Sequence, residues 1–285
     1  MTTLAPPRTL APDGAAGLGN GRPATAPPPV DAVGRARRGL KDGLVMTERT
    51  LLTFVRTPEA LFFMSLQPIM FVLLFRYVFG GAIKIPNYQN YLMPGIFVQT
   101  AAFGSVGTAV GIAEDLQKGL IERFRALPMP RSAVLFGRAL ADICRGVLVI
   151  AIMTAVGFAV GFRPNTGVLG YLAAVGIILF FLHAVSWGFC VIGLAAPNSE
   201  TAQVMAFPLL FPLTFASSAF VLTSQMPGWL QPFANNQPLS KVIDAVRHLM
   251  LGGPTTGDVV AALAWTAGLL AVLAPLAVYR YRRIT

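Results

Sequence analysis

The stretch VVAALAWTAGLLAVLAPLAVY, from Val259 to Tyr279, contains no charged side chain. A helix needs about 20 mostly apolar residues to cross the hydrocarbon core of a bilayer, so this stretch predicts a membrane-spanning helix. The composition of the chain agrees, because 55% of its 285 residues are hydrophobic and 12% are charged, whereas soluble domains carry about 25% charged residues. We expect an all-α integral membrane protein.

Five further apolar stretches predict spans. The first is LFFMSLQPIMFVLLFRYVF, in which Arg76 lies late enough for its guanidinium to reach the interface. The six predicted spans cover about 61–79, 91–113, 134–161, 169–194, 202–222 and 259–279. They divide the chain into a tail, 1–39, and a six-helix transmembrane domain, 40–285.

The region before the first span has two parts. Residues 1–39 are rich in Pro, Ala and Gly, lack an apolar signal-peptide core and end in a basic cluster, so we expect a disordered basic tail. Residues 40–57 place their apolar side chains near one helical face, although Glu48 interrupts that face. They predict an interfacial helix that lies on the membrane surface.

The distribution of basic residues predicts the topology. With six spans, both termini lie on one side, which carries thirteen Lys and Arg near the membrane against four on the other side. Basic loops are cytoplasmic in membrane proteins, so we expect cytoplasmic termini. The net charge of +10 is then explained by topology, and no nucleic-acid partner is expected.

A polar segment, Leu222–Pro254, precedes the last span and predicts an external amphipathic helix. Its apolar side chains recur at helical spacing, and polar side chains occupy the other face. The apolar stripe consists of Leu239, Val242, Ile243, Val246, Leu249 and Met250, and the polar face of Lys241, Asp244, Arg247 and His248. We expect the stripe to dip into the headgroup layer, with Asp244 paired to a neighbour on the helix.

Candidate chemical groups are sparse. No nucleotide-binding loop, nucleophile elbow or zinc-protease motif occurs, so no catalytic residue and no metal ligand are expected. His183 is either a proton relay or a packing residue beside Trp187, and Cys144 and Cys190 are expected to be inert packing residues. The polar residues inside the spans, such as Gln67, Gln99 and Thr100, either mark helix packing or line a path for cargo.

Arg138, Asp142 and Arg145 are spaced so that they share one helix face, with the carboxylate between the two guanidinium groups. They fall at the expected cytoplasmic end of the third span. Two interpretations remain open: a mutually neutralising cluster where the helix enters the lipid, or a hinge between the preceding loop and the bundle.

The loop between the second and third spans reads EDLQKGLIERFRALPMPR, from Glu114 to Arg131. Apolar residues at helical spacing and charge pairs predict a short amphipathic helix over Glu114–Leu127, which Pro128 and Pro130 end. Such a helix is either a docking element for another protein or a solvated cytoplasmic loop.

Two segments resemble the membrane subunit of type-2 ABC exporters, close to the daunorubicin-resistance permease group. They are DLQKGLIERFRALPMPRSAVLFGRALAD (Asp115–Asp142) and NNQPLSKVIDAVRHLMLGG (Asn235–Gly253). With the predicted spans, the resemblance covers roughly 40–283. The chain departs from the family pattern at Ser240 and Lys241, where Thr and Tyr are common.

The resemblance implies a subunit that is not itself an enzyme. It implies a plasma-membrane dimer, of identical or related chains, bound to two cytoplasmic ABC ATPase subunits that use ATP and Mg, with no cofactor on this chain. The interfacial helix 40–57 would be the connecting helix. The implied ATPase-coupling helix includes Glu114, Asp115, Lys118, Gly119, Glu122, Arg123 and Arg125. The implied cargo is a hydrophobic drug, an antibiotic or a lipid, and the residues that would bind it are not identified.

Two alternatives belong to other classes. A proton-coupled secondary transporter would need buried ionisable groups and inverted repeats. A membrane-embedded lipid-modifying enzyme would need a catalytic group at a membrane face. His183, Cys190 and the residues around Asp142 are the groups that either alternative would use.

Overall fold

The computed structural model of the chain describes residues 58–83, 85–119 and 131–284, and within these ranges the regular structure is entirely helical. The helices in chain order are α1 (Pro58–Leu73), a π-helical turn (Leu74–Phe79), α2 (Tyr88–Gly104), α3 (Val106–Gln117), α4 (Arg131–Ala159), α5 (Gly167–Ala195), α6 (Ser199–Phe215), a 3-10 turn (Thr223–Gln225), α7 (Gln231–Asn236), α8 (Pro238–Leu251) and α9 (Thr255–Ile284). The predicted tail and the predicted interfacial helix 40–57 lie outside the described residues.

Four of the six predicted spans are confirmed as helices long and apolar enough to cross a membrane: Tyr88–Gln117, Arg138–Ala159, Gly167–Ala195 and Thr255–Arg283. The first predicted span, 61–79, is helical throughout, from α1 into the π-helical turn, and Ser65–Phe79 is its apolar part that is described in full. The fifth is helical only as far as Phe215, not residue 222. Within the described ranges, four helices, and not the predicted six, are therefore long and apolar enough to cross a membrane.

α5 is the central helix of the bundle and packs against α3, α4, α8 and α9. Its buried side chains include Phe181, Leu182 and Phe189. At its far end Gly193 lets the backbone of α3 approach closely, since a Cβ there would lie 2.6 Å from the carbonyl oxygen of Ala109. Small residues allow such contact between membrane helices, so the backbone of α3 packs directly against α5.

The amphipathic helix predicted before the last span is present as α8, but the expected position of its apolar stripe is wrong. Leu239, Val242, Ile243, Val246 and Met250 are all buried inside the protein. They pack on α2, α5 and α9 instead of reaching the headgroup layer. Helical periodicity identifies an apolar face, but it does not distinguish lipid from protein as the partner of that face.

The helix of the second span runs further than expected. α3 continues to Gln117 and therefore includes Glu114 and Asp115. Gly119 then adopts a left-handed conformation (φ 62°) and its N–H donates to the carbonyl of Leu116, a common way to end a helix. The prediction of one continuous helix over Glu114–Leu127 is wrong for this reason. Glu122, Arg123 and Arg125 lie outside the described residues.

Candidate functional site: a charge cluster, a cavity and a clasp

The second span has a one-residue break in its α-helical pattern at Ser105, between α2 and α3, although Ser105 keeps right-handed helical dihedral angles (φ −67°, ψ −16°). The N–H of Thr108 donates to the carbonyl of Ser105 at 3.0 Å, a contact between residues three apart, as in a 3-10 helix. The carbonyl of Gly104, next to Ser105, accepts a hydrogen bond from Nη2 of Arg145 at 2.5 Å. A side chain of α4 thus binds a backbone carbonyl of the second span directly beside the break.

A buried ion pair lies beside this break. Nη2 of Arg145 is 2.8 Å from Oδ1 of Asp142, and both side chains are only 5% exposed. The hydroxyl of Thr108 donates a second hydrogen bond to Asp142. The predicted pairing between Asp142 and Arg145 is therefore present, and the pair also holds α4 against α3.

Arg138, the other predicted neighbour of Asp142, pairs with a different carboxylate. Its Nη1 lies 2.6 Å from Oδ2 of Asp115 on α3, and both side chains are about one quarter exposed. The three residues predicted to share one face thus form two separate ion pairs: Arg145 pairs with Asp142, and Arg138 pairs with Asp115. We call Thr108, Asp115, Arg138, Asp142 and Arg145 together the charge cluster, and the end of the bundle that carries it the charged end.

A further ion pair at the charged end is largely exposed. Nζ of Lys118 lies 3.5 Å from Oε2 of Glu114, one helical turn away, and about half or more of each side chain is exposed. Exposed pairs of this kind contribute little to stability. Glu114 and Lys118 are therefore accessible to a partner, whereas Asp115 already has a partner within the chain.

A cavity of about 130 Å³ adjoins the charge cluster. Its walls come from α1, α2, α4 and α5, and the start of α3 also contributes. Its polar lining residues are Gln67, Gln99, Thr100 and Arg145. The polar residues that the sequence places separately in the first three spans thus meet around one cavity.

A second cluster of polar side chains lies at the end of the bundle opposite the charged end. It joins α2, α8 and the non-helical segment 216–222. The Tyr91 hydroxyl donates to the carbonyls of Ser218 and Val221 at 2.9 and 3.0 Å. Arg247 on α8 donates to the same Ser218 carbonyl at 2.6 Å and pairs with Asp244 at 2.8 Å. The Ser218 hydroxyl completes the group by donating to Asp244 at 2.7 Å.

We call Tyr88, Tyr91, Ser218, Asp244 and Arg247 the clasp. Tyr88 belongs to it because its hydroxyl donates to the Phe220 carbonyl at 2.9 Å. The clasp fixes the non-helical segment 216–222 between α2 and α8. The predicted pairing of Asp244 on its own helix is confirmed. The roles of the two tyrosines and Ser218 are new, and the only sequence signal for them is two tyrosines one helical turn apart at the start of a span.

The groups that an enzyme or a proton-coupled transporter would use are arranged as follows. Nε1 of Trp187 donates to Nε2 of His183 at 3.2 Å within α5, and Cys190 is buried nearby on the same helix. No three His, Cys, Asp or Glu side chains lie close enough to hold a metal ion in the described part of the chain. Nε2 of His183 is thus occupied by Trp187, and the buried Nδ1 of His183 has no hydrogen-bond partner among the residues that the structure describes.

Comparison with known proteins gives a family match and several relatives. The family model described as "ABC-2 type transporter" matches residues 43–251. The chain is 36% identical over 236 residues to the daunorubicin resistance ABC transporter permease protein DrrB1 of Streptomyces coeruleorubidus, which covers 82% of this chain and 83% of that protein. It is 29% identical over 253 residues to the probable doxorubicin resistance ABC transporter permease protein DrrC of Mycobacterium tuberculosis, covering 87% and 91% of the two chains. It is also 26% identical over 220 residues to the putative transport permease ycf38 of Cyanophora paradoxa, which covers 74% of each chain.

Proposed function

The chain belongs to the ABC-2 type transporter family, and from this premise we propose that it is the permease subunit of an ATP-driven exporter. Two permease subunits form the path for a hydrophobic drug, antibiotic or lipid. Two cytoplasmic ATPase subunits bind ATP and Mg and supply the energy. The drug-resistance permeases among the relatives support this class of cargo.

The observation that carries the proposal is the ion pair between Asp115 and Arg138. These residues lie on α3 and α4, the two helices that flank the loop 118–130. Because the pair joins both helices close to the loop, a force applied to the loop by an ATPase moves α3 and α4 together. The loop then serves as the coupling element, with the exposed Lys118 at its start and the half-exposed Glu114 on the adjoining last turn of α3.

The mechanism uses the break at Ser105. The clasp fixes α2 at its start, and the charge cluster fixes α3 to α4. When ATP closes the two ATPase subunits, the charged end moves and the second span bends at Ser105, which changes access to the path between the two permease subunits. The ATPase must bind the inward-facing and outward-facing forms with different affinity for this coupling to occur.

The orientation follows from charge. Basic residues concentrate at the charged end and in the regions next to it in sequence, namely residues 35–56, the loop 118–131 and Arg280–Arg283. We therefore assign the charged end and both termini to the cytoplasm. The clasp then lies toward the exterior, where it stabilises the outer ends of α2 and α8.

The test is reconstitution of this chain with an ABC ATPase. Glu122→Arg should leave the protein in the membrane but abolish binding or stimulation of the ATPase. Glu200→Arg is a matched control, because Glu200 is exposed in the first turn of α6 and undergoes the same change of charge. Normal export by Glu122→Arg would contradict the proposed role of the loop.

The source of energy is tested separately. Transport into inverted membrane vesicles should require ATP and should continue in the presence of a protonophore. Transport that is abolished by the protonophore while ATP is present would instead support the proton-coupled alternative.

A further inference from the structure

We propose that the cavity between α1, α2, α4 and α5 is a binding site for a neutral molecule that carries one apolar ring and a hydroxyl or amide group. As a statement about cargo, this inference rests on the proposed function. As a statement about binding, it concerns only this chain and can be tested without transport.

The polar requirement comes from two side chains of α2. Gln99 lines the cavity and is 3% exposed, and its Oε1 has no hydrogen-bond partner among the described residues. The hydroxyl of Thr100, which also lines the cavity, likewise has no partner within the described ranges. Buried polar groups are nearly always hydrogen-bonded, so these two groups are suited to a ligand that donates to the amide and pairs with the hydroxyl.

The preference for a neutral ligand comes from the charge cluster. Arg145 is the only charged side chain in the lining described, and Asp142 balances its charge at 2.8 Å. Burying a second charge without a partner is costly. An anion would compete with Asp142 for Arg145, and a cation would lie beside an arginine, so the cavity favours a ligand with no net charge.

The size and the apolar walls indicate one ring. A volume of about 130 Å³ is similar to an engineered apolar cavity of roughly 150 Å³ that binds benzene in another protein. The walls include Phe71 and Phe103, and Val149, Ile150 and Leu182 complete the apolar surface. Aromatic side chains pack favourably against a ring at offset or edge-on geometry.

The aromatic walls continue away from the cavity. Phe103 packs edge-on against Phe211 at 5.8 Å between ring centroids, and Phe211 stacks with Phe215 at 5.6 Å. Phe211 and Phe215 are each 42% exposed. A larger molecule could therefore place one polar ring in the cavity while the rest of it follows the phenylalanines of α6.

The experiment measures protection of a thiol in the cavity, using the full chain in membranes. Ala101→Cys places a thiol in the lining, and Cys144→Ser removes the exposed native cysteine. The rate of reaction with methyl methanethiolsulfonate is measured in the presence of phenol, toluene or benzoate. Ser224→Cys, at an exposed position outside the lining, serves as the control thiol.

Phenol should slow labelling of the cavity thiol and leave the control thiol unaffected. Gln99→Leu should raise the half-protecting concentration of phenol about tenfold, which corresponds to 1.4 kcal/mol, without weakening protection by toluene, which has nearly the same size. Benzoate should require at least about tenfold more ligand than phenol. Each ligand is compared between the cavity-thiol protein with Gln99 and the same protein with Gln99→Leu. Differences between the ligands in their partition into the lipid therefore cancel.

A purely structural role for Gln99 predicts a different result. Gln99→Leu removes a buried polar group with an unpartnered atom, so the midpoint of thermal unfolding should stay the same or rise. A lower midpoint, together with equal loss of protection by phenol and by toluene, would overturn the inference. It would also be overturned if phenol gave no protection, or equal protection in both variants. Export that proceeds without phenol protection contradicts this inference alone, whereas protection without ATP-driven export contradicts only the proposed function.

Discussion

The guanidinium of Arg247 lies over the ring of Tyr91, with 3.8 Å between the guanidinium carbon and the ring centroid. The same guanidinium pairs with Asp244 and donates to the Ser218 carbonyl. One side chain of α8 therefore contacts α2, its own helix and the segment 216–222. Cation–π contacts strengthen when they are shielded from water, and Arg247 is 11% exposed.

The clasp can be tested by removing this cation. Arg247→Met should destabilise the protein by about 2 kcal/mol, because Asp244 loses its charged partner and the Ser218 carbonyl loses a donor. Thermal unfolding of the purified protein measures the change. Lys241→Met on the same helix removes the same charge and should change stability by no more than about 0.5 kcal/mol. Equal effects of the two substitutions would show that the clasp does not stabilise this end.

The buried pair should respond strongly to the loss of one member. Asp142→Asn keeps the shape of the side chain but leaves the charge of Arg145 uncompensated, at a cost of about 3–5 kcal/mol. Replacing both residues by leucine should recover most of this loss. Glu114→Gln, in an exposed pair, should cost at most about 0.5 kcal/mol. Similar losses for Asp142→Asn and Glu114→Gln would contradict the role given to burial.

The pair Asp115–Arg138 should matter more for coupling than for stability. Asp115→Arg and Arg138→Asp should each uncouple ATP hydrolysis from export, because α3 and α4 no longer move together. The double substitution reverses the pair and should restore most of the coupling, while stability changes by only about 1 kcal/mol. The ratio of cargo exported to ATP hydrolysed is the measurement, and a double variant no better than either single one would refute this role.

The close approach between α3 and α5 gives a prediction with a control on the same helix. Gly193→Ala would place a methyl group 2.6 Å from the Ala109 carbonyl, which should separate the helices at a cost of about 1–3 kcal/mol. Gly176→Ala adds the same group where nothing lies within 4 Å. It should be neutral or stabilise by up to about 1 kcal/mol, because alanine is the better helix former. Thermal unfolding of both variants decides the point.

Apolar length predicted much of the fold, and the family resemblance was confirmed by the comparisons. The fifth span shows where this reasoning fails. Segment 216–222 is apolar enough to be read as helix, but its carbonyls bind side chains: Ala216 accepts from Gln237, Ser218 from Arg247 and Phe220 from Tyr88. Apolarity alone does not reveal that such partners replace helical hydrogen bonds.

The candidate site was predictable only one helix at a time. Spacing along α4 correctly paired Asp142 with Arg145, because both lie on one helix. The same spacing predicted that Arg138 also pairs with Asp142. In the structure, Nη1 of Arg138 lies instead 2.6 Å from Oδ2 of Asp115 on the adjacent α3. In the same way, the sequence identified Gln67 and Gln99 as polar groups within spans, but only the packing of the helices brings them to one cavity.

In the proposed mechanism, the break at Ser105 would make α3 a short lever. α3 has 12 residues, which corresponds to about 18 Å from the pivot to Gln117. A tilt of roughly 10° about Ser105 then displaces the loop end by about 3 Å, a movement on the scale of a side-chain contact, while α2 keeps its position against the clasp. Under the proposed mechanism, small angular changes at one serine would thus produce displacements large enough to make or break contacts at the surface of the protein.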